Sequence, residues 1–165
     1  MRIEERSGTL VVVDFDDLEA CKIAVRIERD GMAFYEALAG RMTDAAARGS
    51  ILSLASQERD HLEFFEGELA RLRETKEDPF EEDDLASSLE YGIFAPYRDL
   101  AEALESPRKA LRIGQIVEER SVRFYEACRG RVASDETKRQ LDRIIAEERL
   151  HARKLQEMQD ALPKA

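Results

Sequence analysis

Each of the two histidines in the chain lies three residues after a glutamate. Glu58 precedes His61, and Glu148 precedes His151. Residues three apart on a helix point to the same side of it, so the carboxylate and the imidazole of each pair can share one ion. Each Glu-x-x-His pair is therefore a candidate for half of a metal site.

Two further glutamates complete an internal repeat. Glu118 lies 90 residues after Glu28, and the second Glu-x-x-His pair lies 90 residues after the first. Similar blocks, ERDGMAFYEA and EERSVRFYEA, begin at Glu28 and at Glu118. If the two halves fold as helical hairpins related by a pseudo-twofold axis, all six side chains come together in one place.

Four carboxylates and two imidazoles suit a pair of divalent transition metal ions. The carboxylates can neutralise and bridge two dications, and one imidazole remains for each ion. One Glu from each of two helices and Glu-x-x-His from each of two others is the pattern of dinuclear carboxylate bundles. The ligand types do not separate iron from manganese or zinc. The alternative is a set of buried Glu–His ion pairs, which would destabilise a bundle more readily than stabilise it.

Residues next to these six have weaker assignments. Tyr35 and Tyr125 lie two helical turns beyond Glu28 and Glu118 and are candidates for hydrogen bonds to those carboxylates, although tyrosines are also ordinary core residues. Two more polar side chains, Gln57 and Glu147, either orient a histidine or belong to a solvated helix face. We expect the solvated face.

Four long segments with helical periodicity must position the site. Each has an apolar stripe stepping by three and four residues and interrupted by acid near its middle. Helix starts are predicted at Asp14–Asp17, Asp44, Ser106–Pro107 and Ser134. Short turns at 40–44 and 130–134 predict two antiparallel hairpins. The sequence therefore predicts an all-α four-helix bundle.

The connection at 77–106 is much longer than the two turns. Such a length suits a crossover that lets the second and third helices run parallel, as in ferritin-like topology. We expect one domain over 1–165, with an N-terminal extension at 1–14 in which TLVVV (9–13) forms a short strand or an apolar flap.

Composition excludes several classes of function. The net charge of −10 and the pI near 4.9 disfavour nucleic acid and anionic membranes as partners. The start of the chain is too acidic and its apolar run too short for a secretory signal, so we expect a cytoplasmic protein. Cys21 and Cys128 lack C-x-x-C spacing, which disfavours a zinc ribbon, a rubredoxin-type centre and a thioredoxin motif.

The six candidate ligands and the two FYEA blocks resemble the ferritin-like domain of the rubrerythrins over about residues 15–160. This resemblance implies two iron ions and the reduction of hydrogen peroxide or dioxygen. Typical members carry a four-cysteine rubredoxin domain, whereas these 165 residues contain only two cysteines. The resemblance therefore implies that a separate donor protein would supply the electrons. They also carry an extra carboxylate where this chain has Ser121, so the expected ligands are the symmetrical six.

The sequence analysis thus predicts a diiron oxidoreductase with no catalytic residue assigned beyond the metal ligands. The oxidant would bind at an open position beside Gly31 and Ser121, although close helix packing explains these small residues equally well. Alternatives are an iron-binding, storage or ferroxidase protein, and a structural bundle loaded with zinc or manganese. We also expect a homo-oligomer, with a dimer as the simplest form.

Overall fold

Four long helices make up most of the residues that the structure describes, and the predicted all-α four-helix bundle is confirmed. The computed structural model describes residues 2–6, 9–14, 16–77 and 100–162. The long helices are α1 (Asp17–Arg41), α2 (Ala45–Arg73), α4 (Pro107–Arg129) and α5 (Asp135–Ala161), and a single turn, α3 (Leu100–Ala103), precedes α4.

Side-chain caps explain where the long helices begin. Asp16 and Glu19 form a reciprocal capping box at the start of α1, with N···O distances of 2.8 and 3.0 Å. The side chains of Asp44, Ser106 and Ser134 accept a backbone N–H at the starts of α2, α4 and α5. These are positions that the sequence predicted as helix starts.

The helices pair into two antiparallel hairpins. On the first hairpin, Arg29 pairs with Glu66 and Glu36 pairs with Arg59. Residue numbers increase along α1 while those of their partners on α2 decrease, so the two helices are antiparallel. On the second hairpin, Arg129 pairs with Asp142 and Glu126 pairs with Arg149, so α4 and α5 are antiparallel as well. The short turns that connect the helices impose this arrangement.

Contacts between the hairpins fix their relative direction. Glu28 meets Tyr125 and Tyr35 meets Glu118, so α1 and α4 are also antiparallel. Because α1 runs opposite to both α2 and α4, those two helices run parallel to each other. This is the arrangement that a crossover connection between them requires.

Two apolar clusters fill the bundle, one on each side of a polar layer. One cluster includes Ile27, Leu62, Phe124 and Ile145, and the other includes Phe34, Ala55, Leu111 and Leu155. Along every long helix, a glutamate separates the residues of one cluster from those of the other. The polar layer therefore lies across the middle of the core.

An antiparallel β-hairpin precedes the bundle. Its strands are β1 (Arg2–Arg6) and β2 (Thr9–Asp14), so the segment 9–13, expected as a strand or a flap, lies in β2. Residues 78–99 of the predicted crossover lie outside the described residues. None of the described helices has the length and apolar character needed to cross a lipid bilayer.

Candidate metal centre

The structure brings the six predicted ligands together in the polar layer. One glutamate comes from each of α1 and α4, and one Glu-x-x-His pair comes from each of α2 and α5. Every one of the six residues is at most 4% exposed to solvent. They are Glu28, Glu58, His61, Glu118, Glu148 and His151.

Their ligand atoms form two overlapping groups of four, in each of which the atoms lie within 4.8 Å of one another. The His61 subsite consists of Glu28, Glu58, His61 and Glu148, and the His151 subsite consists of Glu58, Glu118, Glu148 and His151. Glu58 and Glu148 belong to both groups. Two adjacent ions bridged by carboxylates need such shared ligands, so the cluster fits a dinuclear centre.

The Nδ1 atom of each imidazole faces the carboxylates. His61 Nδ1 lies 3.0 Å from Glu148 Oε1 and 3.5 Å from Glu28 Oε2. His151 Nδ1 lies 3.1 Å from both Glu58 Oε1 and Glu148 Oε2. The two rings stack with centroids 6.0 Å apart. Each histidine therefore presents Nδ1 as the nitrogen that would coordinate an ion.

Several of these converging atoms are buried yet make no hydrogen bond to any described residue. A buried polar atom without a partner is costly, and native proteins rarely tolerate several in one place. Two metal ions, one in each subsite, would satisfy these atoms. The atoms are Glu28 Oε2, Glu58 Oε1, His61 Nδ1, both carboxylate oxygens of Glu148, and His151 Nδ1.

The two tyrosines hold the remaining carboxylates across the hairpins. Tyr125 of α4 donates its hydroxyl hydrogen to Glu28 of α1, and Tyr35 of α1 donates to Glu118 of α4. Both tyrosines are fully buried. The exchange follows the pseudo-twofold relation of the two halves and fixes one oxygen of each carboxylate.

The outer ring nitrogens also have partners from the opposite hairpin. His61 Nε2 lies 2.7 Å from Glu147 Oε2, and His151 Nε2 lies 3.1 Å from Gln57 Oε1. Both partner oxygens only accept, so each Nε2 carries the hydrogen and leaves Nδ1 free for an ion. Our expectation that Gln57 and Glu147 belong to a solvated face was therefore wrong. Their spacing alone did not reveal that each reaches the other half.

Electrostatics within the layer reflects its burial and crowding. Burial, followed by the charge of Glu148, raises the pKa of Glu58 and of Glu118 well above the ordinary range. Burial alone would raise the pKa of Glu148, but the two imidazoles beside it lower it below its ordinary value. Burial opposes protonation of His61 and His151, yet the surrounding carboxylates raise the pKa of both. Such strong mutual perturbation is typical of functional sites.

Gly31 and Ser121, the two small residues at equivalent positions of the repeat, differ in their surroundings. A Cβ atom added to Gly31 would lie 3.6 to 3.8 Å from the Glu58 side chain, which is ordinary contact. Its absence leaves room beside a shared ligand. The buried hydroxyl of Ser121 donates to the carbonyl of Val117 at 3.1 Å, one turn earlier in the same helix. Ser121 therefore makes an intrahelical hydrogen bond in the position where we expected open space.

Comparison with protein families finds a match that covers most of the chain. The family model described as Rubrerythrin matches residues 19–159, which includes all four long helices nearly end to end and every residue of the cluster. Comparison with curated proteins and with solved structures gave no match.

Proposed function

We propose, from the premise that this chain belongs to the Rubrerythrin family, that it is a dinuclear non-haem iron oxidoreductase that reduces hydrogen peroxide or dioxygen. The observation that supports this most directly is the pair of overlapping four-residue groups, whose inward atoms are buried and unpartnered. Four carboxylates match the charge of two divalent ions, and nitrogen and oxygen donors suit iron.

The shared carboxylates have a distinct role in this proposal. Glu58 and Glu148 belong to both subsites, so they are the residues that would contribute to holding both ions. Iron ions, when bound, would supply the two electrons that, together with two protons from solvent, reduce one peroxide to two water molecules. Glu28 and Glu118 each serve a single subsite and are held by a tyrosine hydroxyl. The shared carboxylates would thus contribute to both ions, and each tyrosine hydroxyl would fix the orientation of a carboxylate that serves one ion.

The surrounding chain restricts access to the layer. Apolar clusters lie on both sides of it, and Phe65 stacks on Tyr125 with ring centroids 5.2 Å apart. The space beside Gly31 borders Glu58. We assign the binding position of the small oxidant to this side, because Gly31 has no side chain to occupy the space next to Glu58.

Electrons would come from a separate donor. The two cysteines are too few for a four-cysteine iron centre within these 165 residues. Burial raises the pKa of Cys21 and of Cys128 to about 12, so both are protonated thiols at neutral pH. A donor that binds at the surface and passes single electrons inward would restore the reduced centre.

Peroxide consumption under anaerobic conditions tests this function. Diferrous protein alone should consume about one equivalent of peroxide per dinuclear site and stop, because each peroxide accepts two electrons. A reductant with a rubredoxin-like carrier should then sustain repeated turnover. Glu58→Ala should abolish that turnover, whereas Glu119→Ala, at an exposed position on α4, should preserve it.

The same experiment distinguishes the enzyme from an iron store or ferroxidase. A store would accumulate many iron ions per chain as mineral and would show no peroxide turnover that depends on the reductant. That result would contradict the proposed function.

A further inference from the structure

The outer hydrogen bonds of the two histidines differ in charge although they occupy equivalent positions. Glu147 lies 90 residues after Gln57, just as His151 lies 90 residues after His61. The repeat therefore places a carboxylate behind one imidazole and a neutral amide behind the other. The distances differ accordingly, at 2.7 Å from His61 Nε2 to Glu147 and 3.1 Å from His151 Nε2 to Gln57.

The ligand sets of the two subsites correspond, although His61 Nδ1 lies 3.7 Å from the glutamate of its own helix and His151 Nδ1 lies 3.1 Å from its own. Glu58 and Glu148 serve both subsites, and each unshared glutamate accepts a hydrogen bond from a tyrosine of the opposite hairpin. The repeat also differs at Gly31 and Ser121, but the Ser121 hydroxyl donates to a backbone carbonyl and not to a ligand. The difference between Gln57 and Glu147 thus falls directly on the metal-facing imidazoles.

This difference has a definite chemical effect. A hydrogen bond from an imidazole N–H to a carboxylate is charge-assisted and stronger than one to an amide oxygen. By drawing the hydrogen of Nε2 toward itself, the carboxylate makes Nδ1 of the same ring a stronger donor to a cation. Glu147 also places an additional negative charge near the His61 subsite, at a side chain that is only 30% exposed.

We propose that Glu147 makes the two metal positions inequivalent, so that the His61 subsite binds a divalent cation more tightly than the His151 subsite and fills first. This inference rests on the proposed dinuclear function. Glu147 acts through His61 and is a positioning residue. Outer hydrogen-bond partners of metal ligands commonly change affinity by about 10- to 100-fold, which is the difference we expect between the subsites.

Occupancy at limiting metal tests the proposal without reference to activity. The metal-free full chain is mixed with one Co²⁺ per chain and crystallised, and the anomalous scattering of cobalt is refined at both subsites. For the wild type we expect clearly higher occupancy at the His61 subsite. Solution titration with Co²⁺ should show two steps with affinities separated by about tenfold or more.

Exchange variants provide matched controls. Glu147→Gln should equalise the subsites by weakening the tighter one, and Gln57→Glu should equalise them by strengthening the weaker one. The double variant, Gln57→Glu with Glu147→Gln, should reverse the order of filling. A merely structural role of Glu147 would not reverse the order, and circular dichroism checks that each variant keeps its helices.

Two results would overturn the proposal. One is equal occupancy of the subsites in the wild type, and the other is the wild-type order of filling in the double variant. In both cases the dinuclear site itself would stand. Absence of cobalt from both subsites in the wild type would instead remove the proposed function, and this inference with it.

Discussion

The four buried glutamates of the polar layer lower the stability of the metal-free protein. Glu28, Glu58, Glu118 and Glu148 are almost inaccessible to solvent, where an unpaired carboxylate is strongly disfavoured. The raised pKa of Glu58 and of Glu118 expresses that cost, because burial and neighbouring acids disfavour their charged forms. A bundle built only for stability would have apolar residues at these positions.

Removing the tyrosine hydroxyls tests whether they orient the ligand carboxylates. Tyr125→Phe and Tyr35→Phe each remove one hydrogen bond to a ligand carboxylate while keeping the buried ring. We expect each substitution to weaken metal binding by about tenfold, and by similar amounts because the contacts are equivalent. Competition with a coloured chelator measures this. Unchanged affinity in both variants would show that the hydroxyls do not orient the ligands.

Much of the residue-scale arrangement was predictable from sequence. The 90-residue repeat and the Glu-x-x-His spacing identified the six residues that the fold brings together. The roles of Gln57 and Glu147 were not recognised, because each reaches a histidine on the opposite hairpin. A pattern along one helix indicates which face a residue occupies, but it does not give the residue that faces it from another helix.

Elements position the site through their caps and their close packing. Gly114 on α4 shows how little space separates the helices, since an added Cβ would lie 3.2 Å from Leu155 and 3.3 Å from Phe34. Gly67 on α2 is exposed, and an added Cβ there would meet nothing within 4 Å. Close helix packing therefore explains the glycine at position 114, whereas no contact explains the glycine at position 67.

Alanine substitutions separate those reasons. Gly67→Ala should stabilise the protein by about 0.5 to 1 kcal/mol, because glycine is a poor helix former. Gly114→Ala gains the same propensity but must displace Leu155 and Phe34, so we expect it to be at least about 1 kcal/mol less stable than Gly67→Ala. Urea unfolding of both variants gives the comparison. Equal free energies of unfolding would contradict the tight packing at Gly114.

A cavity of about 610 Å³ at one end of the bundle contains both cysteines in its lining and predicts how fast they are alkylated. It is lined by residues near the beginnings of α1 and α5 and the ends of α2 and α4, and by the turn between α4 and α5; Cys21 and Cys128 are among them. Because burial raises the pKa of both thiols to about 12, few thiolates exist at pH 8. Iodoacetamide should therefore label the native protein slowly at pH 8 and faster as pH rises.

Denatured protein provides the control for that labelling. Without burial the thiols return to their ordinary pKa, and both cysteines should react rapidly at pH 8. Rapid labelling of the native protein, followed by mass spectrometry, would show that the thiols are more exposed or more acidic than the cavity indicates.

The whole molecule combines two hairpins of similar sequence around the shared layer. Helix number, cap positions and the antiparallel hairpins followed from periodicity and turn length, because these depend on residues close in sequence. The first strand, Arg2–Arg6, was not predicted, since four of its five residues are charged and only Ile3 is apolar. The long connection at 77–106 stays a prediction over residues 78–99, which lie outside the described part.

Metal removal should affect the molecule as a whole. Binding to the folded state alone adds about 4 kcal/mol when free metal is about a thousand times its Kd, so loaded protein should melt on the order of 10 °C above metal-free protein. Differential scanning calorimetry, with and without chelator, measures the shift. Glu148→Gln, which alters a ligand of both subsites, should show a much smaller response. An identical Tm with and without metal in the wild type would contradict a buried dinuclear site.

The central claim is that the six buried residues hold two metal ions, and metal stoichiometry tests it most directly. The full chain is saturated anaerobically with Fe²⁺, freed of unbound metal by gel filtration and analysed by mass spectrometry of its metal content. We expect about two iron ions per chain in the wild type. A variant with both Glu58→Ala and Glu148→Ala should retain only traces. Fewer than about one ion per chain in the wild type, or equal loading of the double variant, would contradict the claim.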